Sequence, residues 1–306
     1  MSFLDRVRAC AVFNPAAYRP FRVDGVDVGF VAHDFAAALE PAAAVFRVEP
    51  DVVSLAPEVP ADPDARTAAV NAALRPLAER GLLRGWRDED YAVAAAPGAP
   101  ALFRMERAAV PKFGIVAAGI HVNGIVRNGD GVQMWIGRRA LDKANSPGKL
   151  DQLVGGGQPA GDSVLDTLLK ESAEEADMNA DLAGRARPAG AVTYRTEREE
   201  GLRRDILYVF DLELPADFVP RNTDGEISEF YLWPIEQVIE TVRETDEFKF
   251  NCSLVLIDFF IRHGYISPDE PDYLDLVHGL RSLFAGGAGG AGGAGGAGGA
   301  GGAGGR

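Results

Sequence analysis

Residues 155–178 read GGGQPAGDSVLDTLLKESAEEADM, so a glycine-rich loop stands directly before a helix rich in carboxylates. Glycine-rich loops at helix N-termini often bind phosphate through their backbone N–H groups. Carboxylates repel phosphate, so the two halves suit a single site only if a cation lies between them. The segment therefore predicts a strand, a loop and a helix built around a metal-dependent phosphate site.

The helix of this segment carries three glutamates on one face. Glu171, Glu174 and Glu175 are spaced i, i+3 and i+4, which brings their side chains together at about 100° per residue. Their mutual repulsion costs a few tenths of a kcal/mol, roughly, per pair, and a divalent cation removes that cost. Mg²⁺ prefers oxygen ligands and joins carboxylates to substrate phosphates. We predict bound Mg²⁺, with Mn²⁺ as a substitute; the alternative is a solvated acidic surface.

Two other phosphate-binding patterns fit the loop less well. A nucleoside-triphosphatase loop requires lysine where Asp162 stands, and this replacement reverses the charge that meets phosphate. A dinucleotide fingerprint fits residues 155–160, but Pro159 crowds the entry to the helix. Neither pattern explains the three glutamates.

The segment resembles the signature of the Nudix hydrolases, Gly-x5-Glu-x7-Arg-Glu-U-x-Glu-Glu-x-Gly-U, in which U is aliphatic. The residues that match in register are Gly156, Glu171, Glu174, Glu175 and Met178. The residues that replace the family's Glu, Arg, aliphatic residue and final Gly are Asp162, Lys170, Ser172 and Asp177. The first two replacements keep the charge, whereas the last two alter the end of the helix.

The resemblance implies an α/β fold, namely a Nudix-type α/β/α sandwich with a mixed sheet, preceded by a smaller α+β N-terminal domain. Residues 121–161 look like the Nudix subfamily related to thiamine pyrophosphokinase, and residues 19–25, 85–93 and 106–114 are similar to its distinctive N-terminal domain. The predicted units are the N-terminal domain (1–112), the Nudix domain (113–265), a C-terminal helix (266–284) and a disordered Ala-Gly-Gly tail (285–306).

Local patterns predict two hairpins and a long helix. Asp24-Gly25 is a turn dipeptide between apolar runs, and residues 128–131, Asn-Gly-Asp-Gly, join strand-like runs at 115–127 and 132–139. The spacing of Ala, Val and Leu predicts a helix over residues 65–80. Segment 85–93, GWRDEDYAV, is interpreted as a turn into a strand in preference to a substrate contact.

The resemblance implies that water attacks a phosphorus atom of a diphosphate and splits the P–O–P link. The metal ligands that it implies are Gly156, through its carbonyl, and Glu171, Glu174 and Glu175, and the three glutamates are also implied to be catalytic. Related enzymes often use a further acid from a late loop, for which Glu226 and Glu229 are available; we predict Glu229. Basic residues that flank the loop are candidates for binding the diphosphate, or are ordinary surface charges: Arg138, Arg139 and Lys149.

The substrate implied by the subfamily is thiamine diphosphate, or its oxidised and damaged forms, which are converted to monophosphates. A second interpretation is a nucleotide diphosphatase acting on ADP-ribose, a dinucleotide or a diadenosine polyphosphate. A third is a Nudix-like domain that binds a metabolite without catalysis.

Composition bounds the partners of the protein. The formal net charge of -14 opposes binding to nucleic acid or to an anionic membrane, so we expect a small-molecule partner. The two cysteines are far apart in sequence, and charged residues interrupt the apolar N-terminal segment, so we expect a cytoplasmic protein. The oligomeric state stays open.

Overall fold

The computed structural model describes residues 2–129, 131–143 and 145–284, and the Ala-Gly-Gly tail lies outside these residues. The helices are α1 (Phe3–Ala9), α2 (His33–Leu39), α3 (Pro63–Glu79), α4 (Val164–Ala176), α5 (Ala180–Ala183), α6 (Ile235–Glu244), α7 (Cys252–Arg262) and α8 (Tyr273–Gly279). The strands are β1 (Tyr18–Val23), β2 (Val26–Ala32), β3 (Phe46–Val48), β4 (Val53–Leu55), β5 (Asp90–Ala94), β6 (Ala101–Glu106), β7 (Val116–Asn128), β8 (Gly131–Arg139), β9 (Leu150–Asp151), β10 (Val154–Gly157), β11 (Arg187–Arg198), β12 (Gly201–Glu213) and β13 (Ile227–Pro234).

The larger domain is built on a seven-stranded sheet. Five strands follow the order β11-β12-β7-β8-β13, while β10 pairs with β7 and β9 pairs with β8. Strands β7 and β12 run parallel, and the other paired strands run antiparallel, so the sheet is mixed as predicted. The predicted hairpin between β7 and β8 is present, with Asn128 opposite Gly131.

Helices cover both faces of this sheet because its strands present apolar side chains to both sides. Ile120 and Val122 of β7 pack in one core with Leu168 of α4. On the other face, Met134 and Ile136 of β8 pack in a second core with residues of α6 and α7. The predicted α/β/α sandwich is confirmed. Helix α4 covers the face of the sheet that carries Ile120 and Val122.

The N-terminal domain has its own core. It contains a sheet in the order β2-β1-β4-β3, the hairpin β5-β6, and helices α2 and α3. The predicted turn at Asp24-Gly25 joins β1 to β2, and both residues have positive φ, 50° and 82°. Phe21 and Phe46 pack around Phe113, with ring centroids 4.9 Å and 5.4 Å from it. The N-terminal domain is therefore α+β, as predicted.

The two ends of the described chain pack together on the larger domain. Phe3, Leu4 and Val7 of α1 are buried against α7 and α8, although α1 falls inside the segment predicted as the N-terminal domain. Gly279 allows this approach, because an added Cβ there would overlap Val7. The helix predicted over residues 266–284 is shorter, since α8 spans Tyr273–Gly279. Among the residues described, no helix has the length and apolar character needed to cross a membrane.

Candidate active site

Helix α4 carries the three glutamates of the site beside the sheet. They are here called the carboxylate triplet (Glu171, Glu174 and Glu175). The helix begins with a capping box in which Ser163 and Asp166 each accept a hydrogen bond from the other's backbone N–H, at 3.1 Å and 3.0 Å. Its apolar side buries Leu168 and Ala176 against the sheet. The triplet is therefore carried on an element that is anchored at its start and along its buried face.

The two departures from the family signature near the end of α4 leave the helix terminus intact. Asp177 takes the left-handed conformation (φ 53°, ψ 35°) that the family's glycine adopts at less cost. The carbonyl of Ser172 accepts hydrogen bonds from the N–H groups of Asp177 and Met178. The Ser172 hydroxyl is buried without a hydrogen-bond partner in the described structure, as expected where an aliphatic side chain suffices.

Strand β10 is the glycine strand of the site, and it packs directly on the triplet. An added Cβ on Gly156 would overlap the Glu171 side chain, so any other residue at this position would displace that carboxylate. The N–H of Gly155 donates a hydrogen bond of 2.8 Å to Oε2 of Glu175. The glycines therefore serve close approach of the backbone to the carboxylates.

The electrostatics of the triplet suit a bound cation. Glu175 is 3% exposed, and burial, with Asp151 nearby, raises its pKa well above the usual range. Burial raises the pKa of Glu171 to about 7, and Glu174 and Glu226 add to the rise. No Lys, Arg or His among the residues described forms an ion pair with the triplet. Oxygen donors short of positive charge suit a hard divalent cation.

The triplet opens into a cleft of about 1200 Å³ between the two domains, here called the interdomain cleft. Its floor includes β7 and the glycine strand, and one wall comes from the N-terminal domain, including Arg87, Tyr91 and Arg107. The domains are joined beside the cleft by a hydrogen bond of 2.8 Å from Ala160 N–H to the Asp90 carbonyl. A substrate at the triplet therefore meets both domains.

The structure distinguishes the two late-loop acids. Glu226 lines the cleft and pairs with Lys143 of the Nudix domain and, at 3.6 Å, with Arg87 of the N-terminal domain. Burial opposes its ionisation, but the hydrogen bond and charge of Lys143 lower its pKa. Glu229, predicted as catalytic, lies on β13, accepts a hydrogen bond from Tyr231 and is not among the residues that line the cleft. The geometry therefore favours Glu226 over Glu229.

The three predicted substrate-binding cations differ in their surroundings. Arg139 and Lys149 line the cleft, but Arg139 is buried on Asp151 at 2.9 Å, and Lys149 donates to the Asp246 carbonyl at 2.7 Å. Arg138 lies outside the cleft lining, where it contacts Tyr231. The structure does not bring Arg138 to the triplet.

A second group of buried ligand-type side chains lies below the glycine strand. One ligand atom each of His121, Asp151 and Cys252 lies within 4.8 Å of the others. Burial lowers the pKa of His121 to about 4 and raises that of the Cys252 thiol, so both are neutral. Arg139 and Lys249 already pair with Asp151, at 2.9 Å and 3.5 Å. The single carboxylate of this group already has two cationic partners, so the triplet is the better place for a divalent cation.

Sequence reasoning missed the contribution of the N-terminal domain. Tyr91 and Arg107 line the cleft, and an added Cβ on Gly157 of the glycine strand would overlap the Tyr91 hydroxyl. Both residues lie in segments that are similar to the subfamily's N-terminal domain, and Tyr91 falls on the edge of a strand predicted there. The local pattern predicted the strand but not its position against the glycine strand.

Comparisons with known proteins agree with a Nudix domain in the second part of the chain. Residues 118–252 match the model of the NUDIX domain, and residues 2–117 match a domain of unknown function (DUF4743). The chain is 42% identical over 283 residues to Nudix hydrolase 24, chloroplastic, of Arabidopsis thaliana, which covers 92% of this chain and 78% of that protein. It is 46% identical over 220 residues to Nudix hydrolase 20, chloroplastic, of the same plant, which covers 72% of this chain and 59% of that protein.

A crystal structure of a MutT/nudix family protein from Enterococcus faecalis is 14% identical, with a TM-score of 0.41, and covers 55% of this chain and 69% of that one. The family model and the full-length relative together establish the class: the chain belongs to the Nudix hydrolase family. It is a hydrolase that acts on pyrophosphate bonds, and members of this family use divalent metal ions.

Proposed function

We propose that this protein is a Mg²⁺-dependent hydrolase of thiamine diphosphate and its oxidised forms. The observation that supports metal-dependent hydrolysis is the carboxylate triplet: Glu171 and Glu175 contact the glycine strand, Glu171 and Glu174 line the cleft, and none of the three forms an ion pair with the described residues. The substrate assignment is supported by the resemblance of residues 19–25, 85–93 and 106–114 to the N-terminal domain of the thiamine pyrophosphokinase-related subfamily.

In the proposed reaction, the oxygen of water forms a bond to the terminal phosphorus, and the bond from that phosphorus to the bridging oxygen breaks. The products are the monophosphate and orthophosphate. A bound divalent cation neutralises charge on the phosphate oxygens as the reaction proceeds. Because little covalent chemistry falls to the protein, its task is to position the reacting groups.

The residues of the triplet have separable roles in this proposal. Glu171 and Glu175 would hold the divalent cation directly, Glu174 directly or through water, and the carbonyl of Gly156 would supply a further oxygen. The hydrogen bond from Gly155 N–H fixes the Glu175 carboxylate before any ligand arrives. Preorganised ligands reduce the reorganisation that accompanies the reaction.

Glu226 is the residue proposed to orient the attacking water. It is held by Lys143 and Arg87, and its lowered pKa keeps it ionised and able to accept a hydrogen bond from water near neutral pH. Its negative charge also reaches Glu171, whose pKa it helps to raise. Glu226 therefore stands close enough to the triplet to act on the same substrate.

A second candidate function is hydrolysis of a nucleotide diphosphate such as ADP-ribose or a dinucleotide. The cleft volume of about 1200 Å³ favours this candidate, since sites for single small ligands are commonly about 300–1000 Å³. The third interpretation, binding without catalysis, predicts no turnover of any diphosphate.

The test is incubation with Mg²⁺ and a panel of thiamine diphosphate, oxidised thiamine diphosphates, ADP-ribose, NADH and a diadenosine polyphosphate, followed by identification of the products. We expect thiamine monophosphates and orthophosphate, formed by the wild type and not by the Glu175→Gln variant. Turnover restricted to the nucleotides would reject the thiamine assignment, and absence of turnover throughout would favour the binding role.

A further inference from the structure

The N-terminal domain places a tyrosine hydroxyl against the glycine strand. Strand β5 carries Tyr91 to the cleft, next to the hydrogen bond that joins Asp90 to Ala160. The Tyr91 hydroxyl occupies the space that a side chain at Gly157 would take. A residue of the second domain is therefore in van der Waals contact with the strand that supports the metal-binding carboxylates.

The Tyr91 hydroxyl is available to form a hydrogen bond with a ligand. Tyr91 is 6% exposed, yet among the residues described its hydroxyl has no hydrogen-bond partner. The side chain is largely buried, but the hydroxyl oxygen is not among the fully enclosed unpartnered atoms, so it is open to the cleft. Burial raises the pKa of Tyr91 to about 12, so the group remains a donor at neutral pH. An unused donor that faces a cleft suits an acceptor on a ligand.

Arg107 stands beside this tyrosine with part of its guanidinium unused. Nη1 contacts Glu89 at 2.7 Å, whereas Nε and Nη2 have no hydrogen-bond partner in the described part of the chain. The Arg107 Cζ atom is 5.9 Å from the centroid of the Tyr91 ring, and both residues line the same cleft as Glu171 and Glu174. The open guanidinium edge therefore shares the cleft with the triplet.

The segments that carry this pair are rigidly joined. Glu106 is buried, and one of its oxygens accepts hydrogen bonds from the N–H groups of Arg87 and Ala108, at 3.1 Å and 3.2 Å. Asp90 and Glu106 face each other across the β5-β6 hairpin. The backbone that carries Tyr91 and Arg107 is therefore fixed before a ligand binds, which lowers the entropic cost of binding.

We propose that Tyr91 and Arg107 form a diphosphate subsite contributed by the N-terminal domain, which binds the non-bridging phosphate oxygens of an organic diphosphate held at the carboxylate triplet. Arginine binds phosphate through charge-assisted hydrogen bonds, and the phenol adds a neutral donor. The subsite deepens the proposed function and rests on a diphosphate occupying the catalytic cleft. It gives the N-terminal domain a direct role in substrate binding.

The test measures binding separately from hydrolysis. The probe is methylenediphosphonate, a non-hydrolysable diphosphate, titrated calorimetrically into the full-length protein with Mg²⁺. We expect Tyr91→Phe to weaken binding about tenfold, and Arg107→Gln about tenfold to a hundredfold, since loss of a hydrogen bond to a charged group costs about 1.5–3 kcal/mol. Arg107→Lys should recover part of the loss.

The matched control is Arg104→Gln, which removes an arginine three residues away that pairs with Asp64 outside the cleft. We expect it to bind the probe as the wild type does. Circular dichroism and melting temperature show whether each variant is folded, and Tyr91→Phe retains the ring if Arg107→Gln does not fold.

Wild-type affinity in the folded Tyr91→Phe and Arg107→Gln variants, or no binding of the probe by the wild type, would overturn the subsite. Loss of probe binding in these variants, combined with no turnover of the substrate panel, would support the subsite and reject the proposed hydrolysis. In the expected case, the variants also raise KM for the identified substrate more than they lower kcat, which a purely structural role would not produce.

Discussion

Two buried carboxylates of the Nudix domain, Glu175 and Asp151, lie on either side of the glycine strand and differ in their charge balance. Glu175 accepts one backbone hydrogen bond, and burial raises its pKa well above the usual range. Burial also opposes ionisation of Asp151, but Lys249 and Arg139 lower its pKa well below the usual range. Asp151 has its counter-charges within the chain, whereas Glu175 has none among the residues that the structure describes. This difference separates a structural carboxylate from one suited to bind a cation.

The largest expected effect comes from Glu175→Gln, which removes the buried carboxylate that has no counter-charge among the described residues. With one metal-binding oxygen gone, we expect kcat to fall at least about 1000-fold, equivalent to about 4 kcal/mol in the barrier. Steady-state kinetics with saturating Mg²⁺ measures this. Stability in chelator should stay unchanged or rise, because the buried acid was not compensated. Retention of full activity would falsify the assignment of the triplet as the metal site.

Asp151→Asn removes the buried carboxylate that has counter-charges, and it should lower the free energy of unfolding. Arg139 would be left as a buried cation without its carboxylate, and breaking a buried pair costs about 3–5 kcal/mol; the partly exposed Lys249 loses the same partner. Urea unfolding measures this loss. The control Asp246→Asn removes an exposed partner of Lys149 and should change stability by about 0.5 kcal/mol or less. Equal effects of the two variants would contradict a structural role for Asp151.

Glu226 and Glu229 give a matched pair for the next prediction. Glu226 lies with the triplet in the cleft, so Glu226→Gln should lower kcat about 10- to 100-fold through loss of water orientation. Glu229→Gln should leave kcat within about twofold, since its carboxylate binds Tyr231 on β13. The two variants are compared at the same substrate and Mg²⁺ concentrations. The reverse order would restore the assignment made from sequence, in which Glu229 is catalytic.

The sequence predicted what is local. The spacing of the triplet gave α4, and the turn dipeptides gave both hairpins, because helix period and turn chemistry depend on neighbouring residues. The choice between Glu226 and Glu229 needed the strand register. A register shift between Ile227 and Glu229 changes how β13 pairs with β8, and a slip of one residue turns a side chain to the other face.

Contacts between segments that are distant in the chain could not be predicted from the sequence, for a different reason. The approach of Tyr91 to Gly157, and of α1 to α8, joins segments distant in the chain. Apolar periodicity shows that a face is buried but not what covers it. The glycines of β10 were interpreted as phosphate-binding backbone, whereas two of them also make room for Glu171 and Tyr91.

The raised pKa of Glu171 in the triplet also predicts how pH affects the stability of the metal-free protein. Folded Glu171, with a pKa of about 7, holds a proton that the unfolded chain releases near the ordinary value of 4.5. Because the folded state binds more protons in this window, the free energy of unfolding should fall as pH rises from about 4.5 to above 7. Urea unfolding in EDTA at pH 5 and pH 8 measures the fall. Mg²⁺ should reduce it, and so should Glu171→Gln; an unchanged fall in that variant would assign the effect elsewhere.

The smallest expected effect comes from Asp177, and it separates the backbone strain at the end of α4 from the charge of Glu175. Asp177 ends α4 with φ of 53°, a conformation that glycine adopts without the steric cost paid by other residues. Asp177→Gly should therefore raise the free energy of unfolding by about 0.5–1 kcal/mol, measured by urea unfolding. Because the side chain is exposed and makes no ion pair with the described residues, Mg²⁺ affinity should stay within about twofold. A large change in affinity would mean that the helix terminus, and not only the uncompensated carboxylate, sets metal binding at this site.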